Sequence, residues 1–525
     1  VEESSFETIL FPSHGAGGAG DGDGVGHDRD PAQPGYFRDL HLDRIAATAT
    51  ASRPDGQLGV HFSRRLHDAD HITYRQEVFA DLDRPAVRRA VQRFCDAMGE
   101  VRADRDRARD RRFPQEQQRW LLDAAVRYCA AVRELSDGLG SAGATARGFR
   151  ALARFLERLL ASAAYLELEA DAARVAAALA AVRYRVHLRG LHVTVSSDDD
   201  GVDYSAAVLA TFERFAQAPT DARAEERDAS TQMDHVEARI VELVARLPGQ
   251  ASDALQALRE FCVDHRDFVD PTVERFDREV QFYLAYLELV APLRAIGLPF
   301  CTPEVGAGIS DVHACEAFDL ALATKLVPEG AEVVRNGFSL AGAERIIVVS
   351  GPNQGGKTTF ARMVGQLHHL AAIGCPVPGT QARLRIVDQL FTHFQHEDAL
   401  AHDRGTLEDD VVRMQEILAA ATSQSLVITN EPFAATTLED ARFLGRTTIE
   451  RMTEIGLWCV YVTFVDELSS LNHATVSMVS TVVPENPTAR TFRVVRRPAD
   501  GRAFAVAIAE KYGLTYPQLR RRLSA

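Results

Sequence analysis

The stretch Ile346-Ile347-Val348-Val349-Ser350-Gly351-Pro352-Asn353-Gln354-Gly355-Gly356-Lys357-Thr358-Thr359 decides the fold of this chain. A β-branched apolar run enters a Gly-rich turn, and the turn closes on Lys-Thr-Thr at the head of an apolar, helix-forming stretch. Strand, loop and helix in that order are what G-x-x-x-x-G-K-[ST] requires to act as a phosphate cradle. Glycines let backbone N–H groups converge on one concavity, the helix N-terminus adds positive dipole, and Lys357 supplies a full charge. Gly351, Pro352, Asn353, Gln354, Gly355, Gly356, Lys357, Thr358 and Thr359 are therefore the expected nucleotide-binding residues, with the Thr358 hydroxyl placed to ligate Mg²⁺. Lysine is scarce: Lys325, Lys357 and Lys511 are the only three in the chain. One of them in this loop is not compositional drift.

Seventy-odd residues downstream comes Ser425-Leu426-Val427-Ile428-Thr429-Asn430-Glu431-Pro432. An apolar strand ending in a polar–acidic pair is the form of a Walker B site. The first position normally carries an Asp for Mg²⁺; here it is Asn430, whose amide oxygen can still ligate the ion but lacks the charge a hard cation prefers. Glu431 is the expected general base, and Lys357 and Glu431 are the expected catalytic residues.

Composition sets the frame. With 525 residues the chain exceeds a single core, and the length suggests about three or four domains. The formal charge of −15 argues against a blanket electrostatic grip on nucleic acid. Seven scattered cysteines (Cys95, Cys129, Cys262, Cys301, Cys315, Cys375, Cys459) form no C-x-x-C pair, as in reduced structural thiols. No apolar run reaches membrane-spanning length. A soluble, cytoplasmic protein is expected.

Outward from the loop, Ser13 to Pro34 is rich in Gly, Asp and His and reads as a disordered tail or linker. Phe37, Leu40, Leu42 and Ile45 form a short buried element, and His71 to Leu82 opens a mostly helical region. Ala151 to Val182 predicts one long helix or two in tandem. Tyr184–Arg189 and Leu191–Val195 alternate around Gly190 as a hairpin, before an acidic turn at Asp198 to Asp200. Phe276, Val280, Tyr283, Leu287 and Val290 recur every three or four residues; an ordinary helix in a bundle is favoured over a coiled coil, because the run is too short. A composition shift near Leu298 begins an α/β pattern with candidate strands at Arg345–Ser350, Leu426–Thr429, Trp458–Thr463, Thr475–Val483 and Thr491–Val495.

Gly351 to Thr359 resembles the Walker A loop of the MutS mismatch-repair ATPases, whose G-P-N-x-G-G-K-[ST] is more specific than a generic P-loop. Gly374 to Gly379 resembles the family's G-x-x-V-P-A turn, Ile386 to Thr392 its I-D-x-I-F-T segment, and Leu426 to Thr437 its L-L-D-E block. Ala507 to Leu514 is similar to its closing helix, and Tyr74 to Leu82 to the R-Q-x-x-[VI]-x-x-L entry of its helical core. The resemblance implies a mostly α-helical core and lever region followed by an ABC-type α/β P-loop NTPase domain. The expected divisions are residues 1–35 as a disordered tail, 36–110 as the start of the helical core, 111–297 as core and lever with a small β insertion near 184–195, and 298–525 as the ATPase domain. It also implies ATP and Mg²⁺ as cofactors, the metal held by Thr358 and Asn430, with double-stranded DNA and a homodimer partner. No mismatch-reading domain with a Phe-x-Glu wedge and no Smr-type nuclease domain is seen, so a short core-plus-ATPase form is expected.

Departures from the family pattern bear on turnover. Asn430 replaces the Walker B Asp. Gly405-Thr406-Leu407-Glu408-Asp409 stands for G-x-S-T-F, with Leu407 in place of the serine. Thr463-Phe464-Val465-Asp466-Glu467-Leu468 stands for T-H-[YF]-x-E-L, with Phe464 in place of the histidine. Phosphate binding is expected to survive and hydrolysis to be slow. For DNA, Arg102 to Arg112 and Arg520 to Arg522 are the candidate contacts, though Asp104, Asp106 and Asp110 make i,i+4-type pairing on a solvated helix the favoured reading of the first. His368, His369, His393, His396 and His402 lack metal-site spacing. Two functions follow: an ATPase acting on DNA in repair or recombination, with nucleotide-driven levers; or a nucleotide-binding switch with weak hydrolysis that engages a protein partner.

Overall fold

The computed structural model describes residues 6–12, 34–53, 58–189, 192–197, 233–395, 406–483 and 486–499, with Tyr516 and Arg520. Residues 13–33, Asp198–Asp200, the motif at Ala507–Leu514 and Arg521–Arg522 lie outside the described residues.

Two short helices open the ordered body: α1 (Tyr36–Asp39) and α2 (Leu42–Thr50). After α3 (Leu58–Ser63), helix α4 (Ala69–Leu82) begins on an N-cap in which Asp68 accepts from the Asp70 N–H. Helices α5 (Pro85–Asp110) and α6 (Pro114–Ala142) each carry proline at the first position, where its missing N–H costs nothing. They run antiparallel, and an ideal Cβ on Gly138 would sit 2.7 Å from the Ala90 Cβ, so glycine permits the close crossing. The Ala151–Val182 stretch is two helices in tandem, α7 (Arg147–Leu160) and α8 (Ala163–Ala181), broken where Ser162 caps the second. The hairpin follows as β1 (Tyr184–Arg189) and β2 (His192–Ser197), paired antiparallel with Arg189 opposite His192. Then come α9 (His235–Val244), α10 (Gln250–Asp264) and α11 (Pro271–Ala295).

Helix α11 is a core helix. Besides Phe276, Val280, Tyr283, Leu287 and Val290, it buries Phe282, Leu284, Ala285 and Tyr286, so no single seam exists. Phe282 and Tyr283 meet Phe79 of α4 edge-on at 5.9 and 4.8 Å between centroids.

The α/β part begins with β3 (Phe300–Cys301), β4 (Glu304–Gly306), β5 (Val312–Ala317), α12 (Leu320–Leu326) and β6 (Asn336–Leu340). It continues through β7 (Ile346–Ser350), α13 (Lys357–Ala372), β8 (Val377–Pro378), β9 (Gln381–Arg385), β10 (Leu390–Phe394) and α14 (Thr406–Ala420). The last elements are β11 (Leu426–Asn430), α15 (Leu438–Ile455), β12 (Trp458–Val462), β13 (Thr475–Val483) and β14 (Asn486–Arg496). The main sheet runs β10-β11-β12-β7-β13-β14, parallel except for β14. Strand β7 is flanked by β12 and β13, and the Gly-rich loop leaves its carboxyl end, where open α/β sheets bind ligands. A second sheet, β4-β9-β5-β6, was not anticipated from the sequence.

Three expectations are corrected. Residues 1–35 are not all tail: Phe6, Ile9 and Leu10 are buried between helices. Thr8 Oγ1 and the Ile9 N–H both donate to Glu279 Oε2, at 2.6 and 3.0 Å, and Tyr283 OH donates to Ile9 O at 2.8 Å. The short apolar segment Phe6–Phe11 thus finds partners some 270 residues away. Second, α1 and α2 do not merely start the helical core. They clasp α13: Arg362 Nε donates to Asp39 O and Gln366 Nε2 to Leu40 O, both at 2.9 Å. Third, the Arg102–Arg112 stretch is not a simple solvated face. Asp104 is fully buried and takes Arg107 at 2.6 Å and Arg127 of α6 at 3.2 Å, while Arg102 pairs with buried Asp277 of α11. The arginines are therefore largely occupied within the protein, at i,i+3 and tertiary spacing.

No helix among the described residues is long and apolar enough to cross a membrane.

Candidate nucleotide-binding site

Strand β7 is buried along its whole length, which fixes the point where the loop departs. Gly351, Gln354 and Gly356 all have positive φ (116°, 59° and 92°), the backbone path a Gly-rich turn provides. Space demands glycine as well. A Cβ on Gly351 would lie 2.9 Å from Ser480 O, and one on Gly355 would overlap Ser480 Oγ. Ser480, on β13, donates its hydroxyl to Gly355 O at 2.5 Å and so braces the loop from the neighbouring strand. No motif in the sequence pointed to it.

Lys357 heads α13 and is only 4% exposed, so its ammonium must be satisfied by the protein. It donates to Gly351 O at 3.0 Å and Asn353 Oδ1 at 3.1 Å, and it pairs with Glu431 Oε1 at 3.2 Å. Thr358 Oγ1 donates to Asn430 Oδ1 at 2.8 Å. The expected catalytic pair and the expected metal pair thus converge at the carboxyl ends of β7 and β11. Glu431 sits at φ 52° and Phe433 at φ 62°, so the turn after β11 holds two bulky residues in left-handed backbone. The Glu431 N–H is anchored to Val462 O at 2.9 Å. Pro352 and Gly355 are buried, while Asn353 and Gln354 are exposed at the loop's outer edge. Thr359 is half-buried on the first turn of α13.

The residues could hold a magnesium ion. Thr358 Oγ1 and Asn430 Oδ1 are two hard oxygen donors already within contact of one another, which suits an ion that completes its shell with phosphate oxygens and water.

Of the departing motifs, Gly405 and the Thr406 side chain lie outside the described residues, and Leu407 packs half-buried against the outer core. Phe464 is 40% exposed and borders a cleft of about 880 Å³ with Leu438, Asp466, Ser477 and Arg496. The histidines divide. His368 and His369 are buried on α13, and His369 Nε2–H donates to Phe62 O at 2.7 Å. Burial lowers their pKa values, to about 4 for His368 and about 3 for His369. His393 is buried against Asp410, and burial likewise lowers it. His396 and His402 lie outside the described residues. Among the described residues no three potential ligands gather as a metal cluster.

A central parallel strand, a Gly-rich loop and a buried lysine at the head of the following helix define a P-loop fold. Residues 347–519 match the family model described as MutS domain V. The chain is 31% identical over 185 residues to DNA mismatch repair protein MutS of Shouchella clausii, covering 34% of this chain and 21% of the relative. It is 24% identical over 296 residues to DNA mismatch repair protein MutS of Clostridium botulinum, covering 55% of this chain and 31% of the relative. With the protein of that name from Zymomonas mobilis it shares 35% over 147 residues, 28% of this chain and 17% of the relative. It therefore spans between 17% and 31% of the length of these three relatives. Over residues 347–519 the chain is thus similar to the MutS domain V family.

Proposed function

We propose that this protein binds ATP at Gly351–Thr359 and hydrolyses it slowly to drive movement of its helical region on DNA. The observation that carries the reading is the position of Lys357, buried and shared among Gly351 O, Asn353 Oδ1 and Glu431 Oε1. Those three oxygens stand where phosphate oxygens would compete for the same ammonium. An arriving triphosphate takes Lys357 from Glu431, and the released carboxylate can then orient water. Thr358 and Asn430 would hold Mg²⁺, which supplies charge neutralisation on the phosphates when bound. Asn430 contributes no negative charge to that pair, which supports slow turnover.

Two features support coupling to the helical region and to DNA. Arg75 of α4 donates through Nη1 to Ile373 O at 3.1 Å, at the far end of α13 from the loop, so a shift of α13 reaches the helices directly. The β1–β2 ribbon carries Arg185, His187 and Arg189 on one face with His192, Thr194 and Ser196, and its four basic or imidazole side chains are exposed. A row of that kind suits the phosphate backbone of a duplex. The DNA mismatch repair name of its relatives agrees with this partner. A homodimer completing each site in trans is part of the same reading.

Asn430 and Phe464 favour a second reading, a nucleotide switch with little hydrolysis that engages a protein partner. Steady-state ATP hydrolysis with and without duplex DNA decides between them. DNA-stimulated turnover abolished in Lys357→Ala supports the first; tight ATP binding without turnover or DNA retention supports the second.

A further inference from the structure

Strand β13 runs parallel to β7 as far as Val479, which lies opposite Ser350. There the two part. β7 ends and the chain lifts into the phosphate loop, while β13 continues to Val483. Ser480, the first residue past the last pair, therefore comes to lie against the loop. It is fully buried and so is Gly355, so water cannot stand in for the serine hydroxyl. That hydroxyl donates to Gly355 O at 2.5 Å.

This one hydrogen bond sets the direction of a second group. In a planar trans peptide, the C=O and the N–H of the next residue point opposite ways. With the Gly355 carbonyl turned onto β13, the Gly356 N–H is turned away from β13, towards the hollow of the loop. Among the described residues it donates to no backbone carbonyl, whereas the Gly355 N–H is already taken by Pro352 O at 3.2 Å. The opposite orientation is close at hand. Rotating this peptide changes one torsion of Gly355 and one of Gly356, and glycine resists neither. The rotated peptide would present a carbonyl oxygen to the phosphates where it now presents a donor. Among the described residues, the bond from Ser480 is the only side-chain hydrogen bond that holds the plane.

We propose that Ser480 is a positioning residue for the phosphates. Its hydroxyl fixes the Gly355–Gly356 peptide, so that the Gly356 N–H stands ready as a donor before any ligand arrives. The proposal rests on the reading of Gly351–Thr358 as an ATP site and adds to that site a residue that touches no ligand.

The test reads the Gly356 amide directly. Gly17-Gly18 and Gly355-Gly356 are the only two Gly-Gly pairs in the chain. Labelling glycine alone with the heavy isotopes of its carbonyl carbon and amide nitrogen therefore leaves two amides in a carbonyl-filtered NMR spectrum of the full chain. Gly17→Ala leaves only that of Gly356. Adding inorganic tripolyphosphate should move this signal downfield, as a new charge-assisted hydrogen bond requires. In Ser480→Ala the ligand-free signal should shift or split. By calorimetric titration, that variant should bind tripolyphosphate and ATP each about tenfold more weakly or worse, the loss expected for one hydrogen bond to a charged group. Two results overturn the proposal and leave the ATP site standing. One is a Gly356 signal that stays put while the unsubstituted Ser480 chain binds tripolyphosphate, a measurement that needs no Ser480 variant to fold. The other is unchanged affinity for both ligands in Ser480→Ala. A Ser480 chain that binds neither ATP nor tripolyphosphate overturns the ATP site itself.

Discussion

The two ends of α13, 16 residues and roughly 24 Å apart, are finished in opposite ways. At the N-terminal end, Lys357 and Thr358 are satisfied by Asn353, Glu431, Asn430 and one loop carbonyl, all polar groups that a ligand could displace. At the C-terminal end nothing is displaceable. Arg75 is buried, donates to Ile373 O and Leu10 O, and lies between the rings of Phe11 and Phe282 at 5.1 and 5.4 Å. Gly374, at φ 82°, lets Arg75 pack there, since a Cβ would meet the Arg75 Cβ at 2.5 Å. Phe37 stacks edge-on against His369 at 5.1 Å, and the Leu66 N–H donates to Ala372 O. One end is provisional and the other permanent, which is the arrangement a helix needs to turn an exchange of contacts into a movement of its neighbours.

The permanent end should break hardest. Arg75→Ala leaves two buried carbonyls without donors and removes the filling between two rings, with an expected loss of about 4 kcal/mol. Urea unfolding of the full chain measures it; a loss below 1 kcal/mol would mean the joint is not structural. The provisional end should behave in the reverse sense. Lys357→Ala is expected to lower ATP affinity by at least about 100-fold, about 2.7 kcal/mol, while changing ligand-free stability by less than about 1 kcal/mol. Equilibrium binding beside the same urea series distinguishes the two. A smaller effect concerns charge at the metal pair. Asn430→Asp should lower the Mg²⁺ concentration for half-maximal ATP turnover on the order of threefold to tenfold, and no change would remove Asn430 from the metal site.

The smallest expected effect is a pH slope from the permanent end. Burial holds the pKa of His368 down to about 4 and of His369 to about 3, against about 6.5 in an unfolded chain. Below pH 6.5 the unfolded chain therefore binds more protons, and stability is lost as pH falls from 6.5 towards 4. Each histidine contributes up to about 1.4 kcal/mol per pH unit in that window. His369→Gln, which keeps a donor for Phe62 O, should flatten the slope by one histidine's share. An unaltered slope would place the protons elsewhere.

Much of the main sheet was legible because parallel strands buried on both sides read as β-branched runs. Ile346–Ser350, Leu426–Asn430, Trp458–Val462 and Thr475–Val483 all declare themselves this way. The second sheet did not. Its strands are short and carry His313, Glu316, Asn336, Arg383 and Arg385, since much of its surface faces solvent. Tertiary partners were likewise invisible. Asp104 reads as one more charge in an Arg–Asp run until Arg127 arrives from α6, and Lys357 reads as a phosphate ligand with no hint that Glu431 holds it meanwhile. Ser480 and Phe492 sit in unremarkable strand sequence, and only their approach to Gly355 and Gly356 marks them.

The segment around Thr8 and Ile9 has a consequence in time. Its acceptors on Glu279 and its donor on Tyr283 are made about 270 residues after it. At synthesis rates of roughly 5–20 residues per second, that is a wait of roughly 14–54 s with Phe6, Ile9 and Leu10 uncovered. Until α11 emerges, Arg75 also lacks the ring of Phe282, so α4 cannot lock. The joint that fastens α13 to the helices is thus assembled from residues as far apart in the sequence as Leu10, Arg75, Phe282 and Ile373. It closes only when Ile373 is in place, so the proposed coupling between nucleotide and helices needs a chain that extends past Ile373.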